Sequence, residues 1–267
     1  MVLLLGLGFT TCRLAKRLLA RGCTVYGAAR ETQRFRALEA IGLRLRPFGS
    51  LDLNTSDLPK RATVVHTIPP LAGAGRDWLH SVIQQLEPNR VIYISATSVY
   101  GEQVDVDETT EPQPFGDKSV ARYEEERWLL DGPWPSLIVR PAAIYGPGRG
   151  VHEKIREGKL PRGAGSGVVS RVHVDDLAAI LEAGIFSDLH GAWPLADDRP
   201  CSSEEIAAFS AGLLRLNLEN APLTTFPVAG RRVDGRRIRE LLGVELLYPT
   251  YESGILSSLS CSSGTVA

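Results

Sequence analysis

The chain opens with a short apolar segment that leads directly into a glycine turn. Residues Val2–Leu5 are all apolar, which is typical of a strand buried on both faces of a parallel sheet. Gly6-Leu7-Gly8 follows at once, and the next residues repeat apolar positions with a helical period until Gly22, the expected residue just after a helix end. A buried strand that turns through glycines into a helix is the first unit of an α/β fold.

The same alternation continues through most of the first two thirds of the chain. Further strands are predicted at Cys23–Ala29, Leu43–Phe48, Ala62–Ile68, Val91–Ser95 and Ser136–Arg140. The helices between them are predicted from Thr32 to Gly42, around Trp78, Val82, Ile83 and Leu86, and around Val120, Trp128, Leu129 and Leu130. Strands that alternate with helices imply right-handed βαβ units. We therefore expect an α/β fold, a Rossmann-type doubly wound parallel sheet with a small C-terminal substrate lobe.

The pattern changes after Gly146, where glycine and proline become dense. We assign residues 1–146 to a nucleotide-binding domain and 147–256 to a smaller substrate-side lobe, some segments of which return to the sheet. Residues 257–267 are small and polar and are expected to be a flexible tail.

Polar residues predict where some helices start. Thr32 is the expected N-cap of its helix, and Asp175 or Asp176 is the expected cap of a helix that runs to Ala183. Ser202 followed by Glu205 resembles a capping box, which predicts another helix there.

Composition and charge exclude several classes of partner. The 30 Lys and Arg residues nearly balance the 31 Asp and Glu residues, so neither nucleic acid nor an anionic membrane is expected. The 4 cysteines lack any CxxC pairing, which predicts a reduced, cytoplasmic protein with no metal site. No apolar run is long enough for a membrane span, and the N-terminal apolar segment lacks the basic leader of a signal peptide. The oligomeric state is left open.

The glycine turn predicts a phosphate site. Backbone without side chains at Gly6 and Gly8 lets a phosphate approach the amides of a helix N-terminus, where the helix dipole favours an anion. The third glycine of the G-x-G-x-x-G pattern is replaced by Thr11, whose hydroxyl is able to reach a phosphate oxygen. Gly6, Gly8, Phe9, Thr10 and Thr11 are therefore predicted to bind a dinucleotide; a tight structural turn is the alternative.

The end of the second strand favours NADP over NAD. An NAD site expects an acidic residue there, whereas this strand ends in Ala28-Ala29 and is followed by Arg30. A guanidinium suits a 2′-phosphate through charge-assisted hydrogen bonds. The alternative is that Arg30 is one of several solvated arginines, with Arg34 and Arg36.

The other strand ends are expected to converge on the same cleft, because ligands of open α/β sheets bind beyond the carboxyl ends of the strands. The candidates are Asp52, His66, Thr67, Ile68, Ser95, Arg140, Pro141 and Ile144. Asp52 is equally well explained as a turn residue. His66 is better explained as a packed histidine than as a catalyst, because no evident nucleophile accompanies it.

Several motifs resemble the extended short-chain dehydrogenase/reductases, also called the NAD-dependent epimerase/dehydratase family. They are the glycine turn, Ser95–Gly101, Arg140–Gly148 and Arg171–Leu177. Leu195–Pro200, Arg231–Asp234 and Tyr248–Tyr251 are similar to a short, atypical branch of it, labelled nucleoside-diphosphate-sugar epimerase-like. The resemblance implies a nicotinamide cofactor on the sheet and a small-molecule substrate in the C-terminal lobe.

The residues that carry out proton transfer in this family are not evident here. The family has Ser or Thr where this chain has Ala96, with Thr97 and Ser98 adjacent. The next helix in the family carries Tyr-x-x-x-Lys, in which the lysine one turn away lowers the pKa of the phenol. Aligning the end of that helix and the Arg140 strand puts Lys118 and Arg122 at those two positions.

A second register pairs Tyr123 with Arg127 as a Tyr-x-x-x-Arg variant. The catalytic candidates are therefore Lys118, Arg122, Tyr123 and Thr97. A Lys–Arg pair is a poor proton donor, because arginine stays protonated, but it suits an anionic small molecule. Two classes of function remain: an NADP-dependent oxidoreductase or epimerase-like enzyme, or a non-catalytic NADP-binding sensor or assembly protein.

Overall fold

The computed structural model of the protein describes residues 1–48, 55–158, 167–216 and 230–262. The strands in these ranges are β1 (Val2–Leu5), β2 (Val25–Ala29), β3 (Arg44–Pro47), β4 (Thr63–His66), β5 (Arg90–Ile94), β6 (Asp105–Val106), β7 (Ser136–Pro141), β8 (Ala143–Tyr145), β9 (Val168–Val169), β10 (Arg171–His173), β11 (Gly191–Leu195), β12 (Cys201–Ser202) and β13 (Arg232–Val233). The α-helices are α1 (Phe9–Ala20), α2 (Arg36–Glu39), α3 (Ala74–Leu86), α4 (Asp117–Leu130), α5 (Val151–Arg156), α6 (Val174–Ile185), α7 (Ser203–Leu214), α8 (Arg236–Leu242) and α9 (Tyr251–Ser262). Short 3-10 helices cover Thr32–Phe35, Thr55–Asp57 and Thr97–Tyr100.

One parallel sheet organises these elements. Its strand order is β11-β7-β5-β4-β1-β2-β3, and every neighbouring pair is parallel. The chain builds outward from β1 to β3 and then crosses back to β4, so the strand order reverses between β1 and β4. The predicted α/β fold with a Rossmann-type doubly wound sheet is confirmed, and the reversal is where such sheets bind ligands.

Apolar layers cover both faces of the sheet. On one face α1 and α6 pack together, with Leu14 and Leu177 fully buried in the shared core. On the other face α3 and α4 contribute Ile83 and Leu129 to a second core. Burying a leucine side chain contributes about 1.5–3 kcal/mol to the free energy of folding, so these two layers hold the sheet in place. The site is built on one edge of this sheet.

Two predicted helix starts differ from the structure. The segment predicted as one helix from Thr32 to Gly42 forms a 3-10 helix and the single turn of α2, and no side chain caps either of them. The cap of α6 is His173, whose Nδ1 accepts a hydrogen bond from the backbone N–H of Asp175 at 3.2 Å. The expectation that Asp175 or Asp176 caps this helix is therefore wrong.

Asp176 instead holds a distant segment. Its two carboxylate oxygens accept hydrogen bonds from the backbone N–H groups of Leu247 and Tyr248, at 2.7 and 3.1 Å. The start of α7 is as predicted, because the hydroxyl of Ser202 accepts from the backbone N–H of Glu205 at 3.0 Å.

The second half of the chain contributes to both layers. α6 packs on α1, and β11 forms the sheet edge beside β7. Small two-stranded sheets (β10 with β8, β12 with β9, β13 with β6) lie outside this main sheet. The division at residue 146 stays a prediction, but the predicted tail begins too early: α9 continues to Ser262, and Ser258 is fully buried. Within the described ranges, no helix has the length and apolar character needed to cross a membrane.

Candidate functional site

A cleft of about 510 Å³ opens at the strand reversal, and we call it the β1–β4 cleft. Its walls come from the glycine turn, the end of β2, the residue after β3, the segment after β4 and α3. The lining residues are Gly6, Leu7, Gly8, Ala28, Ala29, Arg30, Glu31, Arg34, Phe35, Phe48, Thr67, Ile68, Pro69, Leu71 and Trp78. The glycine turn, Arg30, Thr67 and Ile68 are thereby brought together as the sequence predicted.

Two threonines fix the conformation of the glycine turn through hydrogen bonds. Thr67 and Thr11 each donate a hydroxyl hydrogen bond to the carbonyl of Gly6, both at 3.0 Å. The hydroxyl of Thr11 also accepts from the backbone N–H of Gly8 at 2.8 Å. Because its proton is donated within the turn, Thr11 does not offer a free hydroxyl to a phosphate, contrary to the expectation from sequence.

Gly8 leaves the start of α1 open. A Cβ built on Gly8 would meet no heavy atom within 4 Å, and its φ of −165° is extended backbone. Phe9 and Thr10 follow as the first residues of α1, where helix N–H groups have no partner within the helix. This open, positively polarised helix end fits a pyrophosphate.

The opposite end of the cleft combines aromatic walls with cations. Phe48 and Trp78 lie with ring centroids 5.0 Å apart, a surface on which an adenine ring is able to pack. Arg30 is exposed at the rim, next to Glu31, which pairs with Arg34 at 3.9 Å. The predicted adenine-side acid Asp52 lies outside the described residues.

A buried ion pair fixes α4 against the sheet. Glu126 accepts from Arg140 at 2.7 Å and from the hydroxyl of Ser95, and Arg140 also donates to the hydroxyl of Tyr100 at 3.1 Å. Burial raises the pKa of Tyr100, so the phenol stays neutral. The side chains of Ser95 and Arg140 are thus occupied within the protein, and their part in cofactor binding stays a prediction, as it does for Pro141 and Ile144 at the same strand end.

Glu126 determines which face of α4 packs against the sheet, because it pairs with Arg140 of β7. Lys118 and Arg122 lie two turns and one turn before Glu126, at spacings of four residues, so all three share one face of α4. The guanidinium of Arg122 lies 3.5 Å from the hydroxyl of Tyr93, whose pKa is raised by burial. Lys118 is exposed in the first turn of α4. The structure therefore brings the predicted Lys–Arg pair together.

The alternative pair has other partners. Tyr123 packs against the apolar cluster that contains Val99 and Val106. Arg127 is exposed and pairs with Asp131 at 3.6 Å. Tyr123 thus packs against apolar side chains, and Arg127 pairs with a carboxylate one turn away.

Thr97 begins a short 3-10 helix that an arginine of the lobe holds in place. The guanidinium of Arg231 donates to the carbonyls of Thr97, Gly101 and Gln103, the last at 2.9 Å. Sequence reasoning did not assign this role to Arg231, although the residue belongs to a motif noted in the lobe. The turn that carries Thr97 is consequently tied to the second half of the chain.

A second polar cluster, formed by His66, His80 and Glu125, was not predicted. Nε2 of His66 lies 3.3 Å from Oε1 of Glu125, and Nε2 of His80 lies 2.8 Å from Oε2. Burial opposes ionisation of Glu125, but its interactions with both histidines hold its pKa below the usual range. His66 also stacks on Tyr93 at 4.8 Å. It is a packed histidine whose side chain does not line the β1–β4 cleft.

Comparison with known proteins agrees with this architecture. No protein-family model matches the chain. Protein YeeZ of Escherichia coli strain K12 is 28% identical over 272 residues, which cover 93% of this chain and 96% of YeeZ. A conserved protein of unknown function from Silicibacter pomeroyi DSS is 28% identical in structural alignment, with a TM-score of 0.83 and coverage of 97% and 98% of the two chains.

Proteins whose structures contain sugar nucleotides have the same fold at lower identity. The structure of MoeE5 in complex with UDP-glucose and NAD aligns with a TM-score of 0.82 at 23% identity, over 100% of this chain and 99% of MoeE5. UDP-N-acetylglucosamine 4-epimerase from Methanobrevibacter ruminantium M1 aligns with a TM-score of 0.83 at 15% identity, over 99% and 98%. The fold is that of the NAD-dependent epimerase/dehydratase proteins, which are extended short-chain dehydrogenase/reductases, as the sequence motifs predicted.

Proposed function

We propose that the protein binds a nicotinamide dinucleotide in the β1–β4 cleft and prefers NADP. The observation that carries the proposal is the open helix end at Gly8, in the same cleft as an exposed Arg30. The helix end accommodates the pyrophosphate, the Phe48 and Trp78 walls accommodate adenine, and Arg30 pairs with the 2′-phosphate. The NAD found with MoeE5 supports a dinucleotide of this class.

The cofactor preference is tested by titrating the purified protein with NADPH and with NADH. A charge-assisted contact contributes about 1.5–3 kcal/mol, so NADPH is expected to bind on the order of tenfold more tightly or better. Arg30→Ala removes most of that preference, whereas Arg36→Ala, on an exposed arginine outside the cleft, leaves it unchanged. Equal affinities of the parent protein for the two nucleotides refute the assignment.

Beside the cofactor, Lys118 and Arg122 bind an anionic small molecule. The two cations share a face of α4, at the positions where the family has its proton-transfer pair. Arginine stays protonated and forms paired hydrogen bonds to carboxylate or phosphate, so this pair suits an anion and does not supply a proton. A molecule such as the UDP-glucose seen in MoeE5 has this anionic character.

The first candidate activity is an oxidoreductase or epimerase reaction on that anionic molecule, because the fold is shared with UDP-N-acetylglucosamine 4-epimerase. The second is a non-catalytic NADP-binding sensor or assembly protein. One observation favours it. The hydroxyl of Tyr93 lies 3.5 Å from Arg122, and burial raises the pKa of this phenol, which makes Tyr93 a poor acid. Oxidation of NADPH by small carbonyl compounds that carry a carboxylate, followed by absorbance, tests the oxidoreductase reaction. Conversion of UDP-glucose to its epimer, followed by chromatography, tests the epimerase reaction, and a sensor shows neither.

A further inference from the structure

The loop between β8 and α5 carries a cation that faces the start of α1. Arg149 is exposed on this loop, and its guanidinium carbon lies 5.4 Å from the ring centroid of Phe9, the first residue of α1. A Cβ built on Gly146 would lie 3.5 Å from the same ring. The loop therefore sits against the helix end that we assign to the pyrophosphate.

Backbone bonds hold Arg149 in place. The N–H of Gly146 donates to the carbonyl of Arg149, and the N–H of Arg149 donates to the carbonyl of Gly146, both at 2.9 Å. Gly148, whose φ is +83°, donates its N–H to Glu153 at 2.8 Å. Only glycine adopts such a conformation without strain. The loop is thus preorganised, and binding does not need to order its backbone.

Of the two arginines on the Phe9 ring, Arg149 is the one whose charge is available. Arg13 lies 4.3 Å from the ring centroid, but it pairs with Asp175 at 2.9 Å and donates to the carbonyl of Phe9. No carboxylate of the described residues lies within ion-pair distance of Arg149. A pyrophosphate carries two negative charges, whereas a helix N-terminus offers only about half a positive charge. The guanidinium of Arg149 is therefore able to balance part of the remaining negative charge.

We infer that Arg149 binds the pyrophosphate of the dinucleotide from the substrate side and holds the cofactor against α1. This inference rests on the proposed dinucleotide site and adds a binding residue to it. Arg149 differs from Arg30 in what it contacts: the pyrophosphate is common to NADP and NAD, whereas Arg30 faces the group that distinguishes them. The two arginines therefore have separable effects on affinity.

The test compares Arg149→Gln and Arg149→Lys with the parent protein by titration with NADPH and NADH. Arg149→Gln is expected to weaken both nucleotides on the order of tenfold and to leave their ratio unchanged. Arg149→Lys keeps the charge and is expected to retain most of the affinity. Arg237→Gln is the matched control, because Arg237 is an exposed arginine of α8 that does not line the cleft.

Each other outcome overturns a defined part of the inference. Unchanged affinity in Arg149→Gln refutes the pyrophosphate contact, and a loss confined to NADPH would mean that Arg149 binds the 2′-phosphate. A lowered melting temperature with unchanged affinity would reduce Arg149 to packing on Phe9. If the parent protein binds neither nucleotide, the proposed function itself fails, which is a distinguishable result.

Discussion

Gly6 and Gly8 belong to one turn, but their missing side chains serve different purposes. Gly6 has a φ of +97°, and a Cβ there would lie 2.6 Å from the hydroxyl of Thr67, so glycine is required by the backbone itself. Gly8 has extended backbone and open space where a Cβ would be. Its glycine is therefore not required for folding, which points to a ligand that needs the space.

At Gly8 we predict that substitution separates folding from binding. Gly8→Val is expected to fold, because the added methyl groups enter open space, and to lose nucleotide binding, because they occupy the approach to the α1 amides. Circular dichroism checks the fold, and titration with NADPH checks the affinity. Gly212→Val, at an equally open glycine in α7, is the control and should bind as the parent does. Undiminished affinity in a folded Gly8→Val protein would show that the turn is only structural.

Single residues also show where sequence reasoning reaches its limit. The glycine spacing and the position of Arg30 follow from the end of a strand, so the sequence locates both. The contacts of Thr11 and His66 depend on partners such as Gly6 and Glu125, the second of which is distant in the chain. The sequence predicted that His66 is a packed histidine but not that Glu125 is its partner, and the bond from the hydroxyl of Thr11 to Gly6 emerged only from the structure.

Among the elements, α4 carries the residues that the sequence aligns with the proton-transfer pair of the family it resembles. The ion pair between Glu126 and Arg140 fixes its rotation, and Lys118 and Arg122, at spacings of four residues, lie on the same face as Glu126. The sequence predicted this register from the helix end, and it also left open a register built on Tyr123. The packing of Tyr123 in an apolar cluster and the pairing of Arg127 with Asp131 favour the first register.

For α4 we predict that Tyr123→Phe changes neither NADPH binding nor any NADPH-dependent turnover. The phenol packs among apolar side chains, and Arg127 is paired with Asp131, so Arg127 does not serve as the partner cation of this phenol. Arg122→Gln, by contrast, is expected to weaken binding of the anionic molecule. General acid catalysis contributes about a hundredfold or more, so a Tyr123→Phe loss of that size would restore the alternative register.

Element boundaries were predicted well where burial is continuous and poorly where the chain is short and polar. β1 is fully buried, and its predicted and observed bounds agree. The stretch after Thr32 has weak helical periodicity, and the exposed residues there form a 3-10 helix and one turn of α-helix instead. The cap of α6 was assigned to an aspartate because aspartate is a common cap, but His173 occupies that position.

For the molecule as a whole, the sequence could predict the sheet but not the attachment of the lobe. Alternating strands and helices predict a doubly wound parallel sheet, whose ligand cleft lies beyond the carboxyl ends of the strands, whereas the strand order is seen only in the structure. The way in which the lobe holds the sheet depends on long-range bonds, such as Arg231 to the turn at Thr97 and Arg13 to Asp175. Such bonds join segments that are far apart in the chain and leave no periodic signal.

A buried acid at the junction of sheet and lobe makes the stability of the whole molecule depend on pH. Asp197 follows β11 and is 3% exposed, and among the described residues neither of its carboxylate oxygens has a hydrogen-bond partner. Burial raises its pKa to about 8. The folded protein therefore keeps a proton on Asp197 that the unfolded chain releases above about pH 4, so this group stabilises the fold at low pH.

That stabilisation is lost as the pH rises from about 4 to about 8, at up to about 1.4 kcal/mol per pH unit. Asparagine has the same shape and does not ionise, so Asp197→Asn is predicted to be more stable than the parent at pH 8, with an advantage that shrinks towards pH 5. Urea unfolding across this range measures the difference in the free energy of unfolding. Groups common to both proteins, such as His173, whose lowered pKa gives the opposite slope, cancel in that difference. Asp131→Asn, at an exposed carboxylate, is the control and should show no such trend. A difference that does not change with pH would mean that Asp197 is ionised in the folded protein and that a partner other than the described residues stabilises its charge.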